Sequence, residues 1–496
     1  MSILSTPASL HFELFKRSLI QAEHLPMADV LNCRVLEEVF EEHHIVFGIA
    51  DEDVFTPAIT LWAMVSQFLF SGSGRSCKAA AGRVVSLWSQ VAGRVVAQNA
   101  GNYCRAKAKI PMVAIREITR RLACHAEQGA RAFDDVTNLL DADQAEDRLS
   151  PSVLARVRMR PLLGRIILVD GFTIDAPDTP ENQAVFPQNS SQAEGLGFPM
   201  LRCAALFSLT TGLLIDLAYA PYSGKGSGET SLLRQLKGSL RPGDILVADA
   251  CYCTYWLIAM CQQMGVEVVM KNHQKRDDHP LGAKRISDSE RTIKWLRPDR
   301  PDWMSKGEYR KIAGMIEVRL IDVSTNPATS RSKGFTLATT MLDCEDHPAD
   351  WISDLYESRW NVEPDIRSQK VTMGLEHLRS LTPKGIEREL WTGLLTYNLV
   401  RTKMLQSGGA AKREIRSLSF AETYQLLSTN WLLCACRVVS GAMATSAQAQ
   451  GVCAVVGARP GRMEPRENKR RPKQLKLMTV PRRMFKAAIA ALRKAT

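Results

Sequence analysis

Residues Asp244–Asn272 read DILVADACYCTYWLIAMCQQMGVEVVMKN, and the change of period inside them decides the fold class. Ile245–Ala248 is a short continuous apolar run stopping at Asp249, as a strand buried on both faces requires. From Tyr252 to Met264 the apolar residues take helical spacing, and VEVVMKN returns to a strand. Strand, helix, strand in this order implies an α/β sheet with covered faces.

Upstream, Arg165–Gly171 (RIILVDG) is another buried strand, ending at Asp170. PMLRCAALFSLTTG and LLIDLAYA form a hairpin around Thr210–Gly212, and Glu229–Leu240 reads as a helix. The order from Arg165 onward is strand, strand, strand, helix, strand, helix, strand. Its first and fourth strands each end in an aspartate. One such aspartate serves a turn as readily as a site. Two on one sheet can share an edge, because sites in open α/β sheets form at strand carboxyl ends.

Further along, Trp351–Leu378 reads WISDLYESRWNVEPDIRSQKVTMGLEHL. Pro348 as a first helical residue, with Trp351, Ile352, Leu355, Leu375 and Leu378, gives the spacing of a helix packed on a core. At about 100° per residue, Tyr356, Arg359, Glu363, Arg367 and Lys370 fall within an arc of about 80°, with Trp360 about 20° beyond it. The same spacing suits a solvated face whose Glu363 pairs with Arg359 or Arg367. It equally suits a site holding a metal beside a phosphate backbone, which would need further carboxylates because hard divalent cations take several oxygen ligands. Asp170 and Asp249 can supply them. Pro364 lacks an N–H and is expected to kink this helix near 360–364 or to restart it with Pro364 in the first turn.

The chain has 496 residues, 45% hydrophobic and 23% charged, enough for a large core. Its net charge of +12 is concentrated: Arg459–Thr496 carries thirteen basic and two acidic residues, a distribution suited to a polyanion. No apolar run spans a bilayer and the first residues lack a signal-peptide core, so a cytoplasmic protein with no membrane partner is expected. Twelve cysteines show no disulfide framework. Cys251, Cys253, His273 and His279 can be drawn as a zinc set, but their spacing fits no common template.

The first 125 residues read as helices, including FTPAITLWAMVSQFLF capped at Thr56, a second over Lys78–Val96, and Met112–Ala126 with Arg116, Arg120 and Arg121. Basic helices suit DNA and generic packing alike. Between Asn272 and Asp343, IEVRLIDV and FTLATTML read as strands, and Trp295 and Trp303 lie among cations. An aromatic so placed can stack on an unpaired base or belong to the core. Helices follow over Glu387–Met404 and Phe420–Val439, then a small-residue linker, Ser440–Ala458.

Tyr356, Arg359, Glu363 and Lys370, at intervals of three, four and seven, resemble the Y-R-E-K signature of bacterial insertion-sequence transposases of the family numbered four. LVDGFTIDAPDTPENQAVFPQ, ILVADACY, ELWTGLLTYNLVR, RPGRMEPRENKRRPK and the N-terminal FTPAITLWAMVSQFL resemble other segments of that family, so the likeness covers most of the chain. The chain departs from it at Pro364, where the family usually has an apolar residue.

The resemblance implies an α/β ribonuclease-H-like core with a mostly β insertion, preceded by a helical domain and followed by a helical region and basic tail. The boundaries expected are a helical domain, 1–125; a linker, 126–160; the core, 161–274 and 345–405; the insertion, 275–344; a C-terminal helical region, 406–440; and linker and tail, 441–496. It implies a DDE transposase with Asp170, Asp249 and Glu363 as catalytic metal ligands for two Mg²⁺ or Mn²⁺ ions. Tyr356, Arg359, Trp360, Arg367, Lys370, Lys271 and Trp295 are then expected to contact DNA. The expected partners are the double-stranded DNA of element ends and target, and a second copy of the chain in a synaptic homodimer, in the bacterial cytoplasm.

Overall fold

The computed structural model describes residues 27, 30–31, 33–48, 53–92, 99–138, 164–273, 283–324, 334–410, 415–435 and 478–495. They fall into two compact units: one takes residues 1–140, 210–215 and 363–457, the other 141–209, 216–362 and 458–496. The linker expected from 126 is corrected in its first part, because a helix from Met112 runs on to Asn138; most of its remainder, most of the basic tail and the Ser440–Ala458 segment lie outside the described residues.

The first unit is helical. It contains α1 (Cys33–Glu42), α2 (Pro57–Leu69), α3 (Cys77–Ala92), α4 (Ala100–Lys109) and α5 (Met112–Asn138). Thr56 caps α2 as expected, its side chain accepting the Ile59 N–H, with Pro57 at the first position, where no N–H is needed. N-terminal and C-terminal helices pack in this one unit because their apolar faces are complementary. Leu390, Trp391, Leu394 and Leu395 are fully or almost fully buried, as are Ile115, Ile118 and Leu122. Each buried leucine or isoleucine stabilises by about 1.5–3 kcal/mol.

The second unit is built on one mixed sheet. In chain order it contains β1 (Ile166–Asp175), α6 (Pro180–Val185), β2 (Met200–Ser208), β3 (Leu214–Pro221), α7 (Glu229–Gln235), β4 (Ile245–Ala248), α8 (Tyr255–Gln263) and β5 (Glu267–Lys271). The expected order of three strands, helix, strand, helix, strand is observed; α6 was not foreseen, and the helix at Glu229 ends at Gln235, five residues early, followed by a 3₁₀ turn at Lys237–Ser239. Ile167, Leu168, Val169, Leu246, Val247, Val268 and Val269 are covered on both faces of the sheet, as parallel strands require.

Four more strands continue the same sheet: β6 (Lys284–Arg285), β7 (Glu290–Leu296), β8 (Met315–Ser324) and β9 (Gly334–Thr339), with α9 (Lys306–Lys311) between β7 and β8. The sheet order is β3-β2-β1-β4-β5-β9-β8-β7-β6. β9 pairs antiparallel with β5, so the inserted strands cover an edge that β5 would otherwise expose.

Beyond the sheet, the stretch breaks into several pieces and restarts with Pro364 in a first turn, as the proline led one to expect. Pro348 is the N-cap of α10 (Ala349–Glu357), not its first residue; a 3₁₀ turn spans Ser358–Asn361; α11 covers Val362–Arg367; a π turn covers Ser368–Thr372. Then come α12 (Pro383–Ala410), α13 (Phe420–Ala435) and an exposed helix, α14 (Arg482–Ala495). Among the described residues no helix is long and apolar enough to cross a membrane.

Candidate active site

β1 and β4 run parallel, with Ile166 opposite Ile245, Ile167 opposite Leu246 and Leu168 opposite Val247. Continuing that register by two residues brings Asp170 level with Asp249, on strands about 4.8 Å apart. The register is pinned at the other end. Arg165 donates to Asp244 twice, Nε to Oδ1 at 2.9 Å and Nη2 to Oδ2 at 2.6 Å, and both side chains are buried. A bidentate guanidinium–carboxylate pair fixes angle as well as distance.

The strands stop at different places. β4 ends at Ala248, but β1 continues to Asp175 because β2 stays paired with it from Asp170 opposite Ala205 to Asp175 opposite Met200. The expectation that the first strand ends at Asp170 is thus corrected: Asp170 is mid-strand, at the point where β1 loses β4 as a neighbour. Each aspartate is oriented by its own chain. Asp170 Oδ1 accepts the Gly171 N–H at 2.8 Å, and Asp249 Oδ1 accepts the Ala250 N–H at 2.7 Å.

The field around Asp170 is mixed. Burial raises its carboxyl above the ordinary value; the Gly171 N–H and the Arg359 guanidinium oppose that rise, while Glu229 and Asp249 add to it. Burial also pushes the Tyr356 phenol to about 12, with Arg359 working against the shift and Asp249 with it. Arg359 is buried in the 3₁₀ turn, its guanidinium 4.6 Å from the Trp360 ring centroid and 5.8 Å from that of Tyr356. Its Nε has no hydrogen-bond partner.

Asp170, Asp249, Tyr356 and Arg359 are therefore drawn together in the sheet-bearing unit. Trp360 is exposed beside them in sequence, and Lys271 ends β5 with its Nζ 5.5 Å from the Phe335 ring. Trp295 is only 8% exposed, on β7 opposite Ile316. Trp303 is 43% exposed, stacked by Arg234 at 3.8 Å and meeting Trp256 edge-on at 6.3 Å.

Glu363, Arg367 and Lys370 belong to the helical unit. Glu363 and Arg367 are exposed on α11, and Lys370 lies in the π turn, paired with Glu376 at 3.6 Å. The face calculated for an uninterrupted helix is not formed, as the break expected near Pro364 implies, since a 3₁₀ turn advances about 120° per residue and a π turn winds more widely than an α-helix. α11 is anchored by Asp365, fully buried and paired with Arg401 and, at 3.0 Å, with Arg416.

Sequence reasoning missed Glu229, the first residue of α7. Its carboxyl lies against Gly171 and accepts the Tyr252 hydroxyl at 3.3 Å. The available signal was a glycine directly after Asp170, where a strand would ordinarily carry a side chain.

Carboxylate oxygens suit hard divalent cations such as Mg²⁺ or Mn²⁺. Asp170 and Asp249 supply part of such a donor set. Among the described residues no group of three or more His, Cys, Asp or Glu side chains stands ready to hold a metal ion, the four-residue zinc set included, of which His279 lies outside those residues.

Level aspartates on adjoining parallel strands of a mixed sheet, with a tyrosine and an arginine beside them, make up the candidate site. The family model of the transposase DDE domain matches residues 161–399, and this match together with an IS4 relative supports an IS4-type DDE transposase. The chain is 28% identical over 266 residues to the transposase InsG for insertion sequence element IS4 of Escherichia coli (strain K12), a match covering 52% of this chain and 56% of that protein. The chain thus matches a little over half the length of that relative. A solved piggyBac transposase synaptic complex with hairpin DNA is similar at a TM-score of 0.40 and 10% identity, covering 93% of this chain and 88% of that one.

Proposed function

We propose that this protein cuts the ends of an insertion sequence and joins their 3′-hydroxyls to target DNA, using Asp170 and Asp249 of a ribonuclease-H-like sheet together with Glu363. The observation that carries this reading is the register that brings Asp170 level with Asp249, beside a buried arginine. Asp170, Asp249 and Glu363 would hold two Mg²⁺ or Mn²⁺ ions through their carboxylate oxygens. Such a pair would supply activation of water or a 3′-hydroxyl and stabilisation of the leaving 3′-oxygen.

The other residues position the DNA. Arg359 offers an unpartnered buried N–H to a phosphate, and Tyr356 at the end of α10 holds its guanidinium in place. Lys370, Arg367 and Lys271 add phosphate contacts, and the exposed ring of Trp360 packs on the backbone. Of the two insertion tryptophans, exposed Trp303 is better suited than buried Trp295 to stack on an unpaired base. The partner is duplex DNA in a synaptic homodimer, in the bacterial cytoplasm.

The test is an assay of Mg²⁺-dependent cleavage on the ends of the encoding element, read for strand transfer as well. Wild type should cut and join; cutting without joining would point to another nuclease, and end binding without cutting to an impaired copy.

A further inference from the structure

Glu229 is not among the triad residues, yet it touches the chain next to both aspartates of the sheet. A Cβ placed on Gly171 would stand 2.2 Å from Glu229 Cδ and 2.5 Å from each of its carboxyl oxygens. The carboxyl therefore occupies the space that a side chain at 171 would fill, one residue after Asp170. From the other side, Glu229 Oε2 accepts the Tyr252 hydroxyl at 3.3 Å and the Cys251 thiol at 3.7 Å. Those donors sit in the 3₁₀ turn Ala250–Tyr252, whose N-cap is Asp249. Tyr252 is fully buried and cannot swing away.

We propose that Glu229 is a positioning residue for the metal site, a carboxylate wedge that sets the spacing between β1 at Asp170 and the turn at Asp249. This rests on the proposed metal-dependent function. Its contacts are made to the backbone of one aspartate strand and to the turn that follows the other, so losing it would loosen their spacing. Gly171 is its counterpart: the missing side chain admits the carboxyl. Partner groups that orient ligands from behind typically contribute 10- to 100-fold to metal affinity.

The experiment uses the full-length protein bound to its element-end duplex, with Mn²⁺ binding followed by electron paramagnetic resonance. Thermal midpoint and end affinity are measured alongside. Glu229→Gln should weaken Mn²⁺ binding about 10- to 100-fold, with little change in thermal midpoint or end binding. Gly171→Ala should do the same by pushing the carboxyl aside, and the double variant should be no weaker than the worse single one, since both remove one contact. Should Glu229→Gln fail to fold, Glu229→Asp, which keeps charge and shortens reach, should show the same weakening. Wild-type Mn²⁺ affinity in the Glu229 variants, with affinity lost in Asp170→Asn, would overturn the wedge while leaving the metal reading standing. Additive losses in the double variant would overturn it as well. Unchanged Mn²⁺ binding in Asp170→Asn would instead remove the metal reading itself.

Discussion

At the sheet edge, a carboxylate's place is set by strand register, which changes only in whole residues. Along residues 349–372 it is set by accumulated rotation, which shifts with every departure from α geometry. Asp170 and Asp249 are level because three backbone pairings and a buried Arg165–Asp244 pair permit no intermediate alignment. Glu363 follows a 3₁₀ turn and precedes a π turn. A side chain on a helix can thus keep its sequence spacing and lose its facing.

The largest expected effect separates carboxylate chemistry from shape in both regions. Asp170→Asn, Asp249→Asn and Glu363→Gln keep volume but lose the charged oxygen a hard cation needs. Each should reduce Mg²⁺-dependent end cleavage to background while end binding, measured by mobility shift, persists. Substantial cleavage by Glu363→Gln alone would take the helix out of the site and leave the sheet edge in it.

Next come the buried ion pairs that anchor each region. Arg165→Met leaves Asp244 buried without its partner and should cost roughly 3–5 kcal/mol, read as a fall in the thermal midpoint. Adding Asp244→Leu should restore most of it, because the uncompensated charge is then gone. Asp365→Asn strips the carboxylate from between Arg401 and Arg416 and should destabilise the helical unit by a similar amount. If the two losses differ by severalfold in chemical denaturation, one anchor is better hydrated than its burial implies.

How much of this was legible follows from the same contrast. The β1 and β4 segments announce themselves as apolar runs ending near Asp170 and Asp249, and a sheet turns such runs into a shared edge. The strand β7, ERTIKWL, also alternates, with Ile293 and Trp295 buried, but its charged residues drew attention to DNA instead. The broken helix was legible only where proline marks it. The π turn has no local signature, because it arises from how the segment is held by its surroundings rather than from propensity. The only sequence signal for Glu229 was an absence, the side chain that Gly171 lacks.

A smaller effect concerns pH. Asp170 has a folded-state proton affinity raised chiefly by burial, so the folded protein binds this proton more tightly than the unfolded chain. Its contribution to stability is full below the ordinary aspartate value of 3.8 and is lost as pH rises through the raised folded value. At neutral pH the ionised carboxylate therefore opposes folding. In a chelating buffer, Asp170→Asn should raise the thermal midpoint at pH 7, and the gain should shrink toward pH 4. A gain independent of pH would assign it to packing.

The smallest effect is expected where the helix looks most compromised. In an uninterrupted helix Pro364 would clash with the carbonyl of Trp360 and forfeit a hydrogen bond, at about 3 kcal/mol. The chain avoids both by restarting. Val362 begins α11, so Pro364 is its third residue, within the first turn, where backbone N–H groups have no intrahelical partner. The Val362 N–H is shared between the Arg359 and Trp360 carbonyls at the end of the 3₁₀ turn. At the other side of the helix Ser368 Oγ donates to the Pro364 carbonyl at 2.8 Å. Pro364→Leu should consequently leave end cleavage within about twofold of wild type, since an exchange at an unstrained first-turn position changes stability by only about 0.5 kcal/mol. A clear rise in cleavage for the leucine variant would mean that a straight helix places Glu363 better than the restarted one, and that rotation along this segment limits the enzyme.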